Sequence, residues 1–85
     1  MAASKLRSVT ATSSYVALED IPCKFVSVLN KTGAALLIEM AGDSGSGKEV
    51  SLADGLSIGL EVVCNAKEIR IKSASGTTGV YFVTE

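Results

Sequence analysis

The stretch Gly42-Asp43-Ser44-Gly45-Ser46-Gly47-Lys48 holds most of what could pass for chemistry in this chain. As G-x-x-x-x-G-K it has the spacing of a phosphate-binding loop, in which backbone amides cradle phosphates and the lysine reaches them. The next position should then carry a hydroxyl for magnesium. It is Glu49, a negative charge beside the intended phosphates. Such a loop must also open a helix, and Glu49-Val50-Ser51-Leu52 alternates like a strand. As Gly42-Asp43-Ser44-Gly45-Ser46 the same stretch looks like the nucleophile segment of trypsin-like proteases. A serine nucleophile needs a base to take its proton, and the 85 residues include no histidine. The loop is therefore read as a solvated connection, with Asp43, Ser44, Ser46 and Lys48 as a candidate interaction tip.

The remaining titratable groups do not assemble into a reaction centre either. Glu19 and Asp20 are adjacent, so on a strand they diverge, and they precede Pro22 as a turn would. Cys23 and Cys64 form no C-x-x-C pair, and without histidine a zinc site lacks ligands. The two thiols read as small buried hydrophobes, with a disulfide open only in an oxidising compartment. Asn30-Lys31-Thr32 fits a glycosylation acceptor but reads here as a turn. Arg70 and Lys72 alternate with Ile69 and Ile71, so both cations share one strand face, either solvated or docking an acidic partner surface. No aromatic lies between them, which argues against single-stranded nucleic acid. The expectation is a protein without enzymatic activity, catalytic residues, cofactor or metal.

Size and composition point the same way. Eighty-five residues and 8.7 kDa make one domain, burying only about 60% of its unfolded surface. The apolar content of 47% is too high for a disordered chain. The longest apolar run, Ala34-Ala35-Leu36-Leu37-Ile38, is far short of a membrane span. The beginning of the chain has no apolar signal segment. Net charge is −1, which exerts no pull toward nucleic acid or membrane. Residues 1–14 carry only Lys5 and Arg7, both basic, and consist mostly of Ala, Ser and Thr. They are expected as an extended N-terminal arm, either frayed or ordering on a neighbouring subunit, ahead of a β domain over 15–85. Lys5, Arg7, Arg70 and Lys72 are the candidate partner-docking residues.

These groups must be positioned by strands. Short apolar stretches separated by Gly-bearing turns predict strands near 14–18, 23–30, 34–41, 48–53, 56–64, 68–74 and 79–84. A short helix over 34–41 is the competing reading, since Ala, Leu, Glu and Met favour helices. Leu56, Ile58, Leu60 and Val62 alternate with Ser57, Gly59 and Glu61. A two-residue turn at Asp54-Gly55 would put the flanking apolar rows on opposite faces. A three-residue loop, Ala53-Asp54-Gly55, instead pairs Leu52 with Leu56 and Val50 with Ile58. By the same parity, Lys31-Thr32-Gly33 pairs Val28 with Leu36 and Val26 with Ile38. Gly33 and Gly55 then take the left-handed position, where a Cβ is costly. A third hairpin is expected across 73–79, its register open because Val80, Tyr81, Phe82 and Val83 are apolar on both faces. The expected fold is all-β, a single small sandwich or barrel of about six to seven antiparallel strands.

From Cys23 to Glu85 the chain resembles small virion proteins of tailed bacteriophages. The likeness rests on Val26-Ser27-Val28-Leu29-Asn30-Lys31-Thr32-Gly33-Ala34, the Gly-rich loop 42–47, the Leu52-Ala53-Asp54-Gly55 turn, Asn65-Ala66-Lys67-Glu68-Ile69-Arg70-Ile71, and a final β stretch. It departs at Ala53, where a proline would be expected, and at Glu39-Met40, where the pattern is basic. The resemblance implies a head decoration or cement protein on the capsid surface, made in the host cytoplasm. Its partner would be the major capsid protein, with a homo-oligomer on the shell. The alternatives are a carbohydrate- or receptor-binding β module, for which Tyr15 and Tyr81 are the available aromatics, or a small inhibitor.

Overall fold

The structure, a computed structural model, describes residues 4–43, 45, 47–73 and 77–85. Eight strands follow one another: β1 (Lys5–Ala11), β2 (Val16–Ala17), β3 (Phe25–Asn30), β4 (Leu36–Met40), β5 (Val50–Leu52), β6 (Ser57–Glu61), β7 (Ile69–Ser73) and β8 (Thr77–Thr84). One 3-10 turn, Ala66–Glu68, precedes β7. The strands form two antiparallel four-stranded sheets, ordered β1-β8-β3-β6 and β2-β7-β4-β5. This is an open two-sheet sandwich with jelly-roll strand order, not a closed barrel.

Period-two alternation builds the core. In β3, Val26, Val28 and Asn30 point inward while Phe25, Ser27 and Leu29 are half-buried on the other face. In β7, Ile69, Ile71 and Ser73 are buried and Arg70 and Lys72 face outward. In β8 the inward set is Val80, Phe82 and Thr84. Leu36, Ile38 and Leu52 from the second sheet meet them, so one apolar layer joins the two sheets. The segment 34–41 contributes strand β4, not a helix, because burial of Leu36 and Ile38 against this layer outweighs local helix propensity.

The three expected hairpins are not hairpins. β3 pairs with β6 and β8, while β4 pairs with β5 and β7. Hence Val28 meets Ile58 and Phe82, not Leu36, and Val26 meets Leu60 and Thr84, not Ile38. Leu52 likewise pairs with Leu36 and not with Leu56, and Val50 with Ile38 and not with Ile58. The connection from β7 to β8 also crosses between sheets. Parity required only that each pair of apolar rows face one core. Two strands in opposing sheets meet that condition as well as two strands in one sheet do. The turn geometry is nonetheless left-handed at both glycines, with φ of +86° at Gly33 and +84° at Gly55. The strands adjacent in sequence that also pair are β4 and β5, flanking the Gly-rich loop.

The two turns clasp each other around Asn30, which is fully buried. Its amide nitrogen donates to the carbonyls of Ala34 (2.7 Å) and Leu52 (2.8 Å). Its amide oxygen accepts from the backbone N–H and the hydroxyl of Thr32. Gly55 N–H donates to the Asn30 carbonyl, and Asn30 N–H to that of Leu56. The Asp54 carboxylate accepts from Gly33 N–H at 2.8 Å.

Within the expected arm, residues 5–11 form β1, antiparallel to β8 from Lys5 opposite Thr84 to Val9 opposite Val80. Val9 and Ala11 turn toward the core, and Arg7 reaches Glu19 at 3.2 Å. The physical reason is the open edge of β8, whose backbone groups are satisfied by this pairing. Among the described residues the fold therefore has eight strands, one more than the upper expectation.

Candidate interaction surfaces

The outward face of the second sheet gathers charge around one ring. Glu39 and Arg70 are directly opposed on β4 and β7. Glu39 is 5% exposed, and its carboxylate meets the Arg70 guanidinium at 2.5 Å. A buried carboxylate requires such a partner. Arg70 and Lys72 both lie over the Tyr15 ring, at 5.9 and 4.7 Å from its centre. The Tyr15 hydroxyl donates to the Glu49 carboxylate. Partial burial and this acceptor push the Tyr15 hydroxyl up to about 12, with the charges of Glu49 and Glu39 adding and Arg70 opposing. Arg70 is thus held by Glu39 and Tyr15, while its buried Nε has no hydrogen-bond partner among the described residues.

A second node locks the loop before β7. The Glu68 carboxylate accepts the N–H groups of Val63, Cys64 and Asn65, each at 2.8 Å. The bonds from Cys64 and Val63 hold the Glu68 carboxyl below its ordinary range. Asn65 caps the turn, accepting from Lys67 and Ile21 N–H and donating to Asp20. Cys23 lies across from this loop, its N–H donating to the Cys64 carbonyl at 3.0 Å. Both thiols are free. Burial, then the charge of Glu68, pushes the Cys23 thiol up. Cys64 is exposed, not buried as expected, because it belongs to a surface loop where Glu68 holds its backbone.

The outward face of the first sheet has a different character. Register aligns Ser8, Tyr81, Leu29 and Ser57 in one row across the four strands, and Leu6, Val83, Ser27 and Gly59 in the next. The Phe25 ring lies over Gly59, where a Cβ would come within 2.5 Å of it. Leu6 is 65% exposed, Tyr81 41% and Val83 36%. No charged side chain stands in either row. One end of the face carries Glu61, opposite Phe25, and Glu85, whose backbone pairs with that of Phe25. The other end carries Lys31, whose N–H donates to Gly79 beside Tyr81 and Thr10. Lys31, Glu61 and Glu85 are exposed and take part in no ion pair among the described residues.

The anticipated site residues are thus dispersed. Lys5 and Arg7 belong to the first sheet, Arg70 and Lys72 to the second. In the Gly-rich loop, Lys48 pairs with Asp43 at 2.7 Å, and Ser44 and Ser46 lie outside the described residues. The apolar outer face was not anticipated. Its signal was the run Val80-Tyr81-Phe82-Val83, apolar at successive positions and hence on both faces of its strand.

No protein-family model matches this chain, and no curated protein matches it. Among solved structures, the fold is similar to that of a protein from Bacillus endospore appendages, described as a novel family of disulfide-linked pili. The TM-score is 0.60 at 16% identity, covering 96% of this chain and 81% of that one. At that identity the likeness is one of fold. It overturns the expectation of a capsid decoration protein: the matching structure is a bacterial appendage protein, and no phage family matches. Most of the residues that suggested a virion protein belong to the strands and turns of this sandwich, and a fold does not by itself imply a function.

Proposed function

We propose that this chain is a non-enzymatic building block that associates with copies of itself into an extended assembly. The carrying observation is its exposed apolar surface. Leu6, Tyr81 and Val83, between 36% and 65% exposed, stand side by side on the outer face of the first sheet. A small monomer gains nothing from such surface, whereas a subunit buries it on assembly. Strands β1 and β6 each pair on one side only among the described residues, so the first sheet also ends in unsatisfied backbone edges. The fold likeness to a pilus protein is consistent with this reading. The test is sedimentation velocity with negative-stain microscopy across protein concentration. Concentration-dependent oligomers or filaments are expected. A strict monomer up to about 1 mM, the weakest association worth naming, overturns the reading.

Covalent linkage, stated of the neighbouring pili, falls in this chain to Cys64, since Cys23 is buried. Two Cys64 thiols would surrender two protons and two electrons to a small disulfide oxidant such as oxidised glutathione. Non-reducing gels of oxidised protein are expected to show a dimer band that Cys64→Ser removes and Cys23→Ser retains.

A further inference from the structure

We propose that the outer face of the first sheet is a two-fold docking face for a second copy of this chain, with the symmetry axis lying across the strands. This inference rests on the self-association reading and assigns a surface and a geometry to one of its contacts; a two-fold contact closes at two copies, so extension needs a second, different contact. In the aligned class of sheet packing, which the flat central rows of this face suit, two sheets keep their strand directions within about 30° of each other. Two in-plane axes are therefore open to an isologous pair, one along the strands and one across them.

Charge decides between them. Lys31 stands at one end of the face and Glu61 with Glu85 at the other, six residues or roughly 20 Å along the strand direction. An axis along the strands brings like ends together, with the acidic ends of both copies side by side. An axis across the strands exchanges the ends. Lys31 then meets the Phe25 ring of the second copy, between that copy's Glu61 and Glu85. These three charges find no ion-pair partner within the described chain.

Side-chain size agrees with the same axis. It lays one central row over the other, strand for strand. Leu6 then faces Ser8 of the second copy, Leu29 faces Ser27, and Tyr81 faces Val83. On β1 and β3 a large side chain meets a small one, which lets the surfaces interdigitate as the two sheets of the sandwich do. The face spans four strands by about six residues, roughly 20 × 20 Å. Two copies therefore bury on the order of 800 Å², below the ~1,200 Å² of a standard stable interface. The isolated pair is accordingly weak, and gains from repetition in a larger assembly.

The experiment is sedimentation equilibrium of the full chain in wild-type form and as Lys31→Glu, Glu61→Lys, the double exchange Lys31→Glu/Glu61→Lys, and Tyr81→Asp. Each pair of opposed charges occurs twice per dimer, so either single reversal is expected to weaken dimerisation about tenfold. The double exchange recovers most of that loss, with Glu85 still acidic. Tyr81→Asp abolishes measurable dimer while thermal melting shows the fold intact. Leu6→Asp, at the more exposed position, serves where Tyr81→Asp fails to fold. A wild-type chain that associates while both aspartate variants associate equally well sinks the face and leaves the self-association reading standing. Weakening by the aspartates with no rescue by the double exchange sinks the axis. A monomeric wild type sinks both.

Discussion

Asn30 and Glu68 show how two polar side chains can fix a small β protein. Asn30 satisfies one carbonyl in the connection from β3 to β4, another at the end of β5, and two donors of Thr32. Replacing it with Ala leaves those backbone groups without partners and opens a void. A loss of about 3 kcal/mol is expected in urea denaturation. Glu68 acts through charge. Its folded carboxyl titrates lower than the ordinary value of about 4.3 in an unfolded chain. Its contribution is therefore fully present above that ordinary value and disappears as pH falls through the folded value. Between pH 5 and pH 3 the urea midpoint of the wild type is expected to drop more steeply than that of Glu68→Gln. Parallel pH profiles of the two proteins would contradict the assigned role of the three amide bonds.

At the scale of elements, β1 carries the sharpest difference from the sequence reading. An arm that merely straps a neighbour could be removed without harm to the isolated domain. As an edge strand it gives β8 its second partner and brings Val9 and Ala11 to the core. Deleting residues 1–11 removes that pairing and bares Val80 and Phe82 from one side. The truncated chain is expected to lose at least ~2 kcal/mol, a value set by the apolar area returned to water. An unchanged melting temperature would show that β1 contributes nothing to the monomer. The turns between β3 and β4 and between β5 and β6 teach a complementary lesson. Their glycines were placed correctly because a left-handed backbone is a local demand. Their pairing partners were not, because facing a common core does not specify a common sheet.

For the whole molecule, consecutive strands almost always lie in opposite sheets, so pairing joins residues distant in sequence, as in β1 with β8. Loop closure then precedes most of the favourable contacts, and refolding is expected on the ~10 ms to seconds scale. Stopped-flow fluorescence of Tyr15 and Tyr81 measures it, and microsecond folding would be incompatible with this topology. The candidate surfaces were legible only in fragments. The charged pair Arg70 and Lys72 was visible by alternation, but the buried Glu39 that neutralises Arg70 lies on another strand. The apolar outer face needed Leu6, Phe25, Leu29, Tyr81 and Val83 to be brought side by side from three strands. By itself the sequence determined an all-β chain, seven of its strands, the left-handed glycines and the sharing of one core, since period-two alternation and backbone sterics act over a few residues. Tertiary structure alone decided which strands share a sheet, that residues 5–11 join one, and which face stays apolar and open, since pairing is chosen by contacts between distant residues that no local pattern encodes.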